Sequence, residues 1–270
     1  LSLDKLYGES DSTSEQLASL APEWGRGSDL VVYPELTVQD PLVTEEGSEP
    51  WSAAARAAEA SLIVGSRERE RNGGDECSFN SAVLLGSDGD IGDVRHKIKL
   101  VPFAEKTPYR QYLNFLKNIH FGGSNLCPGD TVSVFSIPQG DLSVLICFEA
   151  AFSGLHRRAV EAGAEFLVGI MNNSWWGRSS VTWQHMYLIP FRSVENRRYY
   201  ACVANSGFSF ICDPMGRISL RSELFKKTSV RGSVNRLREL TFYTRHGPWL
   251  PILCVVLMAL LMGARFSRIS

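Results

Sequence analysis

The stretch that decides the fold is Leu142-Ser143-Val144-Leu145-Ile146-Cys147-Phe148-Glu149. Its run of aliphatic and β-branched residues predicts a buried strand that ends at Cys147. Small residues from 150 to 154 predict a turn that leaves backbone N–H groups beside the sulfur. A thioester-forming nucleophile needs such donors for its oxyanion. The alternative is a structural thiol, because free cysteine also packs as a small buried hydrophobe.

Composition excludes several classes of function. The chain has 270 residues, of which 44% are hydrophobic, enough for a full core in one large or two small domains. Its formal net charge is −1, so we expect no nucleic-acid partner. The six cysteines lack the paired spacing of zinc sites, and we expect no metal and no cofactor. Cys202 and Cys212 flank a turn, and their spacing leaves a disulfide between them open.

The C-terminal end of the chain predicts a membrane anchor, and its N-terminal end predicts a missing segment. Residues 250–264 are apolar and uncharged, follow Trp249, and are closed by Arg265 and Arg268. This pattern predicts a transmembrane helix over 247–265 and a cytoplasmic tail over 266–270, with the domain 1–246 on the other side. The alternative is a buried core helix. The chain begins at Leu1 without a signal-peptide pattern, and we expect it to be the C-terminal part of a longer protein.

Strand and helix patterns alternate along the domain. Predicted strands lie near 29–35, 61–65, 79–85, 142–147, 165–171, 199–205 and 208–213, and predicted helices near 12–20, 51–60, 154–162 and 184–196. This alternation predicts a layered α/β fold with its helices outside.

Two further segments carry groups suited to catalysis. Glu35 follows a short apolar strand and Pro34, at the strand end where α/β enzymes collect active-site groups. Lys97 and Lys99 are two residues apart, so in a strand they would point the same way. The alternative for Glu35 is a solvated carboxylate in a loop, and the alternative for the two lysines is a position on the surface. A lysine held beside buried carboxylates would instead act as an electrophile.

Aromatic residues are concentrated in two places. The segment 109–121 is unusually apolar, and either packing on the core or contact with lipid headgroups explains it. It contains Tyr112 and Phe115, and a second aromatic pair, Trp175 and Trp176, follows a predicted strand. We interpret these four residues as candidate substrate contacts.

The order of Glu35, Lys97 and Cys147, each in its strand context, resembles the nitrilase, or carbon-nitrogen hydrolase, superfamily. Residues 97–105, 172–177, 183–185, 192–197 and 204–207 look like the motifs of the apolipoprotein N-acyltransferase family within it. The resemblance covers nearly all of residues 29–264. It implies a nitrilase-like αββα sandwich, with the first strand of the domain truncated, and a catalytic Glu-Lys-Cys triad.

The resemblance also implies an activity and a location. Cys147 would take an acyl chain from a phospholipid as a thioester and pass it to the α-amine of a diacylglyceryl-cysteine at an apolipoprotein N-terminus. Glu35 would be the base, while Lys97 and the N–H of Phe148 would stabilise the oxyanion. Glu105 and Glu149 would keep Lys97 charged and oriented. The domain would lie on the periplasmic side of a bacterial inner membrane.

Two alternatives remain open on the sequence alone. A membrane-tethered amidase of the same superfamily would use the same triad with a small polar pocket, which the apolar segment 109–121 disfavours. An inactive membrane-anchored binding module would be expected to lack at least one of the three triad residues, and all three are present.

Overall fold

Two β-sheets pack against each other in the computed structural model, which describes residues 14–72, 75–106 and 126–266. The first sheet has the order β1-β2-β3-β4. Its strands are β1 (Leu30–Val32), β2 (Ser61–Asn72), β3 (Asp75–Leu85) and β4 (Ile91–His96). β1 pairs with β2 in parallel, and the other two pairings are antiparallel. β2 and β3 form the longest antiparallel pair of this sheet, from Leu62 opposite Leu85 to Asn72 opposite Asp75.

The second sheet has six strands in the order β10-β9-β8-β7-β6-β5. They are β5 (Phe135–Ile137), β6 (Gly140–Ile146), β7 (Phe166–Asn172), β8 (Tyr200–Asn205), β9 (Phe210–Cys212) and β10 (Ile218–Arg221). β6, β7 and β8 run parallel. Their carboxyl ends therefore meet at one edge, where open α/β sheets place their sites.

Helices cover the outer faces of both sheets. Those on the first sheet are α1 (Ser14–Ala18), α2 (Ala21–Trp24) and α3 (Glu45–Ala58), and those on the second are α4 (Ser153–Glu161), α5 (Ser180–Asn196) and α6 (Phe242–His246). The core between the sheets joins Val64 and Val83 to Val144 and Val168. The predicted αββα order of layers is confirmed.

The segment that carries the lysines departs from the prediction. β4 ends at His96, so Lys97 and Lys99 both follow the strand. Lys97 is 1% exposed, whereas Lys99 points to solvent. The expectation that the two lysines share a strand face is therefore wrong, because β4 ends before both of them, although the Lys97 N–H still donates to the Asn80 carbonyl of β3 at 2.7 Å.

The disulfide joins a different pair of cysteines from the one considered above. Cys77 on β3 is bonded to Cys127, whereas Cys202 and Cys212 are free. The hairpin register explains why: Cys202 lies opposite Phe210, and Cys212 lies opposite Tyr200. The two cysteines are therefore not cross-strand neighbours, because they are two residue pairs apart along the paired strands.

The last helix, α7 (Trp249–Phe266), exposes its apolar side chains. Between Leu250 and Met262, the exposed fraction of its large apolar side chains lies between 43% and 72%. In the ranges that the structure describes, none of the helices is both long and apolar enough to span a membrane. The transmembrane assignment of 247–265 stays a prediction.

We predict that the Cys77–Cys127 bond contributes substantially to stability. It closes a loop of 50 residues in sequence, and loop-closure entropy gives about 4 kcal/mol for a loop of this length. Cys77→Ser/Cys127→Ser should therefore lower the denaturant midpoint markedly. Cys254→Ser is the control, because Cys254 is free and exposed. Equal midpoints for the two variants would contradict the prediction.

Candidate active site

Cys147 lies at the carboxyl end of β6, where the strand turns into the 3-10 helix Cys147–Ala151. Its φ of 51° is in the left-handed region, which is strained for a residue with a side chain. The turn therefore holds the sulfur in a fixed direction at the sheet edge. Phe148 follows at the N-terminal end of this short helix, where backbone N–H groups have no acceptor within the helix.

Glu35 comes from the other sheet, after β1 and Pro34. Gly65 of β2 lies directly beneath this turn: an added Cβ there would be 2.2 Å from the Pro34 carbonyl oxygen and 2.8 Å from Glu35 Cα. The absence of a side chain at Gly65 thus allows the approach. Glu35 is 2% exposed, and its Oε2 accepts from the Asn172 N–H at 2.8 Å. This hydrogen bond links the Glu35 carboxylate to β7 of the second sheet.

Lys97 is held between two carboxylates. Its Nζ lies 2.8 Å from Glu35 Oε1 and 2.8 Å from Glu105 Oε1. Asn80 Nδ2 donates to the same two oxygens, at 2.8 and 3.1 Å. Glu105 is itself oriented by the Val101 N–H, which donates to Oε2 at 2.8 Å. The structure thus brings the predicted Glu35, Lys97 and Glu105 into one buried network.

The charges of this network act on the thiol. Burial and then the Glu35 carboxylate raise the pKa of the Cys147 thiol well above its ordinary value, although Lys97 opposes them. Burial disfavours the ammonium of Lys97, but Glu35, Cys147 and Glu105 together raise its pKa. A thiol whose pKa is raised becomes a nucleophile only when a neighbouring base accepts its proton.

Glu149 supports the site through the backbone. Its carboxylate lies 2.7 Å from the Arg95 guanidinium, and both side chains are fully buried. It also accepts from the N–H groups of Ile98 at 2.7 Å and Ile146 at 2.8 Å. Glu149 therefore ties the lysine segment to the cysteine turn, rather than binding the ammonium of Lys97 as the sequence suggested.

The predicted substrate contacts are placed only in part. Tyr112 and Phe115 lie outside the described residues. Trp175 belongs by its backbone to the 3-10 helix Ser174–Trp176, and its side chain is outside the described part of the structure. Trp176 is 41% exposed. Phe148 is half-buried and packs edge-on against Phe152, with ring centroids 5.1 Å apart.

Four supporting residues were missed by the sequence analysis. They are Asn80, Arg95, Asn172 and His185. The polar Asn80 within an apolar strand was a usable signal, since a buried amide needs partners. Burial lowers the pKa of His185 on α5. The nearby Glu35 carboxylate opposes this shift, and the nearby Lys97 ammonium adds to it. The Nδ1 of His185 is buried and has no hydrogen-bond partner among the residues that the structure describes.

The arrangement brings together a thiol, a carboxylate and a cation, the kinds of group that acyl transfer through a thioester uses. In residues 14–72, 75–106 and 126–266, no group of three or more His, Cys, Asp or Glu residues could hold a metal ion.

We predict that Glu149→Gln strongly destabilises the domain. It leaves Arg95 as an uncompensated buried charge, which typically costs about 3–5 kcal/mol. Burial opposes ionisation of Glu149, but Arg95 and the backbone donors lower its pKa below the ordinary 4.5. Its stabilisation is therefore present above pH 4.5 and is lost as the pH falls through the lowered value.

The measurement is chemical unfolding from pH 7 down to pH 3 for wild type and variant. The gap between their unfolding free energies should narrow at the acidic end. Glu70→Gln is the control, because Glu70 pairs with His96 at the surface. A constant gap, or an effect no larger than the control's, would refute this role.

Comparison with known proteins gives the family. The carbon-nitrogen hydrolase family model matches residues 11–236. Apolipoprotein N-acyltransferase from Geobacter metallireducens is 35% identical over 248 residues, covering 90% of this chain and 47% of that protein. Apolipoprotein N-acyltransferase 2 from Treponema denticola is 30% identical over 269 residues, covering 93% and 50%. The chain thus spans about half the length of these curated relatives, and the predicted resemblance to them is confirmed.

Solved structures agree on the fold. A carbon-nitrogen hydrolase from Helicobacter pylori superposes with a TM-score of 0.62 at 20% identity, covering 82% of each chain. An amidase from Nesterenkonia gives a TM-score of 0.56 at 19% identity, covering 78% of this chain and 80% of that one. At these identities the likeness bears on the fold alone, which is nitrilase-like. Together with the family match over residues 11–236, it shows that the chain belongs to the carbon-nitrogen hydrolase family.

Proposed function

We propose that this chain is the catalytic part of an apolipoprotein N-acyltransferase. The observation that carries the proposal is the buried contact between Glu35 and Lys97, with Nζ 2.8 Å from Oε1, beside a thiol at a strained strand end. The names of the curated relatives favour lipoprotein N-acylation over amide hydrolysis. The donor would be a phospholipid, and the acceptor a diacylglyceryl-cysteine at an apolipoprotein N-terminus.

In the first half-reaction, Cys147 attacks the ester carbonyl of the phospholipid. The thiol proton passes to Glu35 as the C–S bond forms. Lys97 and the Phe148 N–H stabilise the oxyanion. The C–O bond then breaks, and the leaving alkoxide takes the proton from Glu35 to give a lysophospholipid. Glu35 is left ionised beside the thioester.

In the second half-reaction, the neutral α-amine of the diacylglyceryl-cysteine attacks the thioester. A C–N bond forms and Glu35 accepts a proton from the nitrogen. The C–S bond breaks, and the thiolate of Cys147 recovers the proton. Water must be kept from the thioester throughout. We assign this shielding and the acyl-chain contacts to Tyr112, Phe115, Trp175 and Trp176.

Glu105 and Glu149 have separate supporting roles in this proposal. Glu105 touches the ammonium of Lys97 at 2.8 Å and offsets the cost of burying its charge. Glu149 keeps the backbone at residue 98 fixed against the cysteine turn. Together they hold the cation in place before the substrate arrives, which is how preorganised electrostatic stabilisation works.

We further propose attachment to the bacterial cytoplasmic membrane, with the domain on the periplasmic side. Taken over the whole sequence, residues 247–265 have the composition of a transmembrane helix, and Arg265 and Arg268 favour a cytoplasmic tail at 266–270. The Cys77–Cys127 disulfide supports a periplasmic location of the domain, because such bonds persist in oxidising compartments such as the periplasm.

We predict that phosphatidylethanolamine alone adds one fatty-acyl mass to Cys147. Intact-protein mass spectrometry should detect the adduct, and neutral hydroxylamine should remove it, because thioesters are cleaved and amides are not. A lipopeptide with a free α-amine should also discharge it. Cys147→Ala should give no adduct, while Cys202→Ala, the matched buried free cysteine, should still form it.

Lys97→Met should slow adduct formation by about 100- to 1,000-fold, because one oxyanion donor is lost. The neighbouring Lys99→Met is the control, since that side chain is exposed. An adduct on another cysteine, or a wild-type protein that hydrolyses small amides and ignores phospholipid, would overturn the proposed function.

The topology prediction uses single introduced cysteines in a background without reactive native thiols. An impermeant thiol reagent, applied to cells whose outer membrane has been opened, should label a cysteine at position 90 and not one at position 268. Labelling at 268 alone would mean that the orientation is reversed.

A further inference from the structure

Helix α5 carries an apolar stripe that the fold leaves uncovered. The stripe consists of Trp183, Tyr187, Phe191 and Val194, spaced by four, four and three residues, and its members are 39%, 57%, 63% and 49% exposed. Residues at this spacing share one side of a helix. A different side of α5, which includes Met186 and Ile189, is buried against the second sheet. Trp183 also packs edge-on against the buried Phe208, with ring centroids 4.6 Å apart, but all four residues of the stripe remain exposed.

Apolar and cationic groups border the stripe. Met215 is 59% exposed, and the turn that carries it packs on α5, since an added Cβ at Gly216 would lie 3.0 Å from Val194 Cγ2. At the other end, the Arg221 guanidinium lies 5.8 Å from the Trp183 ring centroid and 5.0 Å from that of Phe208. Within the described ranges Arg221 has no carboxylate in salt-bridge contact. The stripe thus ends beside a cation without an acidic partner.

The stripe is continuous with the helix that follows the domain. Thr241 Oγ1 donates to the Glu195 carbonyl at 2.7 Å, and Thr244 Oγ1 donates to Asn196 Oδ1 at 3.2 Å. These bonds fix α6 to the C-terminal end of α5, and α6 leads within three residues to α7. Exposed aromatic rings mark the junction, where Phe242 and Trp249 meet edge-on with centroids 5.4 Å apart. A second uncovered apolar surface therefore begins where the stripe ends.

We propose that the α5 stripe is a lipid-contacting surface that lies at the headgroup and acyl-chain boundary of a phospholipid bilayer. Amphipathic aromatic rings with flanking arginine are the composition that such boundaries favour. The phosphates of the lipids supply the anions that Arg221 lacks. The inference rests on the proposed function and deepens it, because α5 also packs on the cysteine turn, where Arg192 donates to the Ala151 carbonyl at 3.5 Å.

A second copy of the chain is the competing occupant, and charge disfavours it. Two-fold contacts bring the same patch of both copies together. An interface between two stripes would take the Arg221 guanidinium of each copy out of water among apolar side chains, at an electrostatic cost. A bilayer surface meets the same stripe with complementary charge.

The test places an environment-sensitive fluorescent amino acid at position 191 or, as a matched control, at position 43. Val43 is 43% exposed and precedes α3 on the opposite outer layer. The full chain is reconstituted in vesicles of phosphatidylethanolamine and phosphatidylglycerol, with or without phospholipid that carries a spin label near the headgroup. Quenching at position 191 should exceed that at position 43 by roughly threefold or more if the stripe lies at the bilayer boundary.

Quenching at position 191 no greater than at position 43 would overturn the inference. Two results in lipid-free detergent would together overturn it as well. They are a blue shift of the fluorescence at position 191 that grows with protein concentration, and a doubled mass in light scattering. Both would mean that a second copy of the chain covers the stripe. The Cys147 adduct is measured on the same samples. An adduct without quenching refutes the lipid surface alone, and quenching without an adduct refutes the proposed acyl transfer alone.

Discussion

The site depends on keeping a charged lysine out of water. Lys97 is 1% exposed, and an isolated ammonium at that depth would lose its proton rather than remain charged. Two carboxylates at 2.8 Å prevent this, one from the loop after β1 and one from the loop after β4. Because each carboxylate has its own backbone donor, the network is fixed at both ends. Lys97 and both carboxylates follow strands of the first sheet, and Glu35 links this network to the second sheet through the N–H of Asn172 at 2.8 Å.

A second buried ion pair makes the arrangement rigid. Arg95 and Glu149 are fully buried, and Glu149 also accepts from the backbone before Cys147 and after Lys97. The strained φ at Cys147 persists because its surroundings determine it, as is usual for backbone strain at functional sites. The two networks thus have complementary roles, since one sets the charges and the other sets the backbone that carries them.

The sequence alone was sufficient for the layered α/β fold and for choosing Glu35, Lys97 and Cys147 as candidates, because strand patterns and short motifs are local signals. Cys147 and Glu35 lie at the ends of apolar strands, and that context is visible without a structure. The Cys77–Cys127 bond was not predictable, since 50 residues separate its partners. Asn80 and Arg95 were missed for the same reason, because their partners come from distant segments. The direction of Lys99 was mispredicted because β4 ends at His96, before either lysine.

The disulfide and one hydrogen bond have a consequence for how this enzyme family can diversify. Cys127 is bonded to β3, and the Leu126 N–H donates to the Glu105 carbonyl at 2.8 Å, so residues 106 and 126 are brought to the same place. Any segment between residues 106 and 126 therefore begins and ends at two positions that are held close together. Loop-closure entropy rises only slowly with length, so the entropic cost of joining these two fixed ends depends little on how many residues lie between them. A relative with a longer or shorter segment here could therefore keep Glu105 beside Lys97.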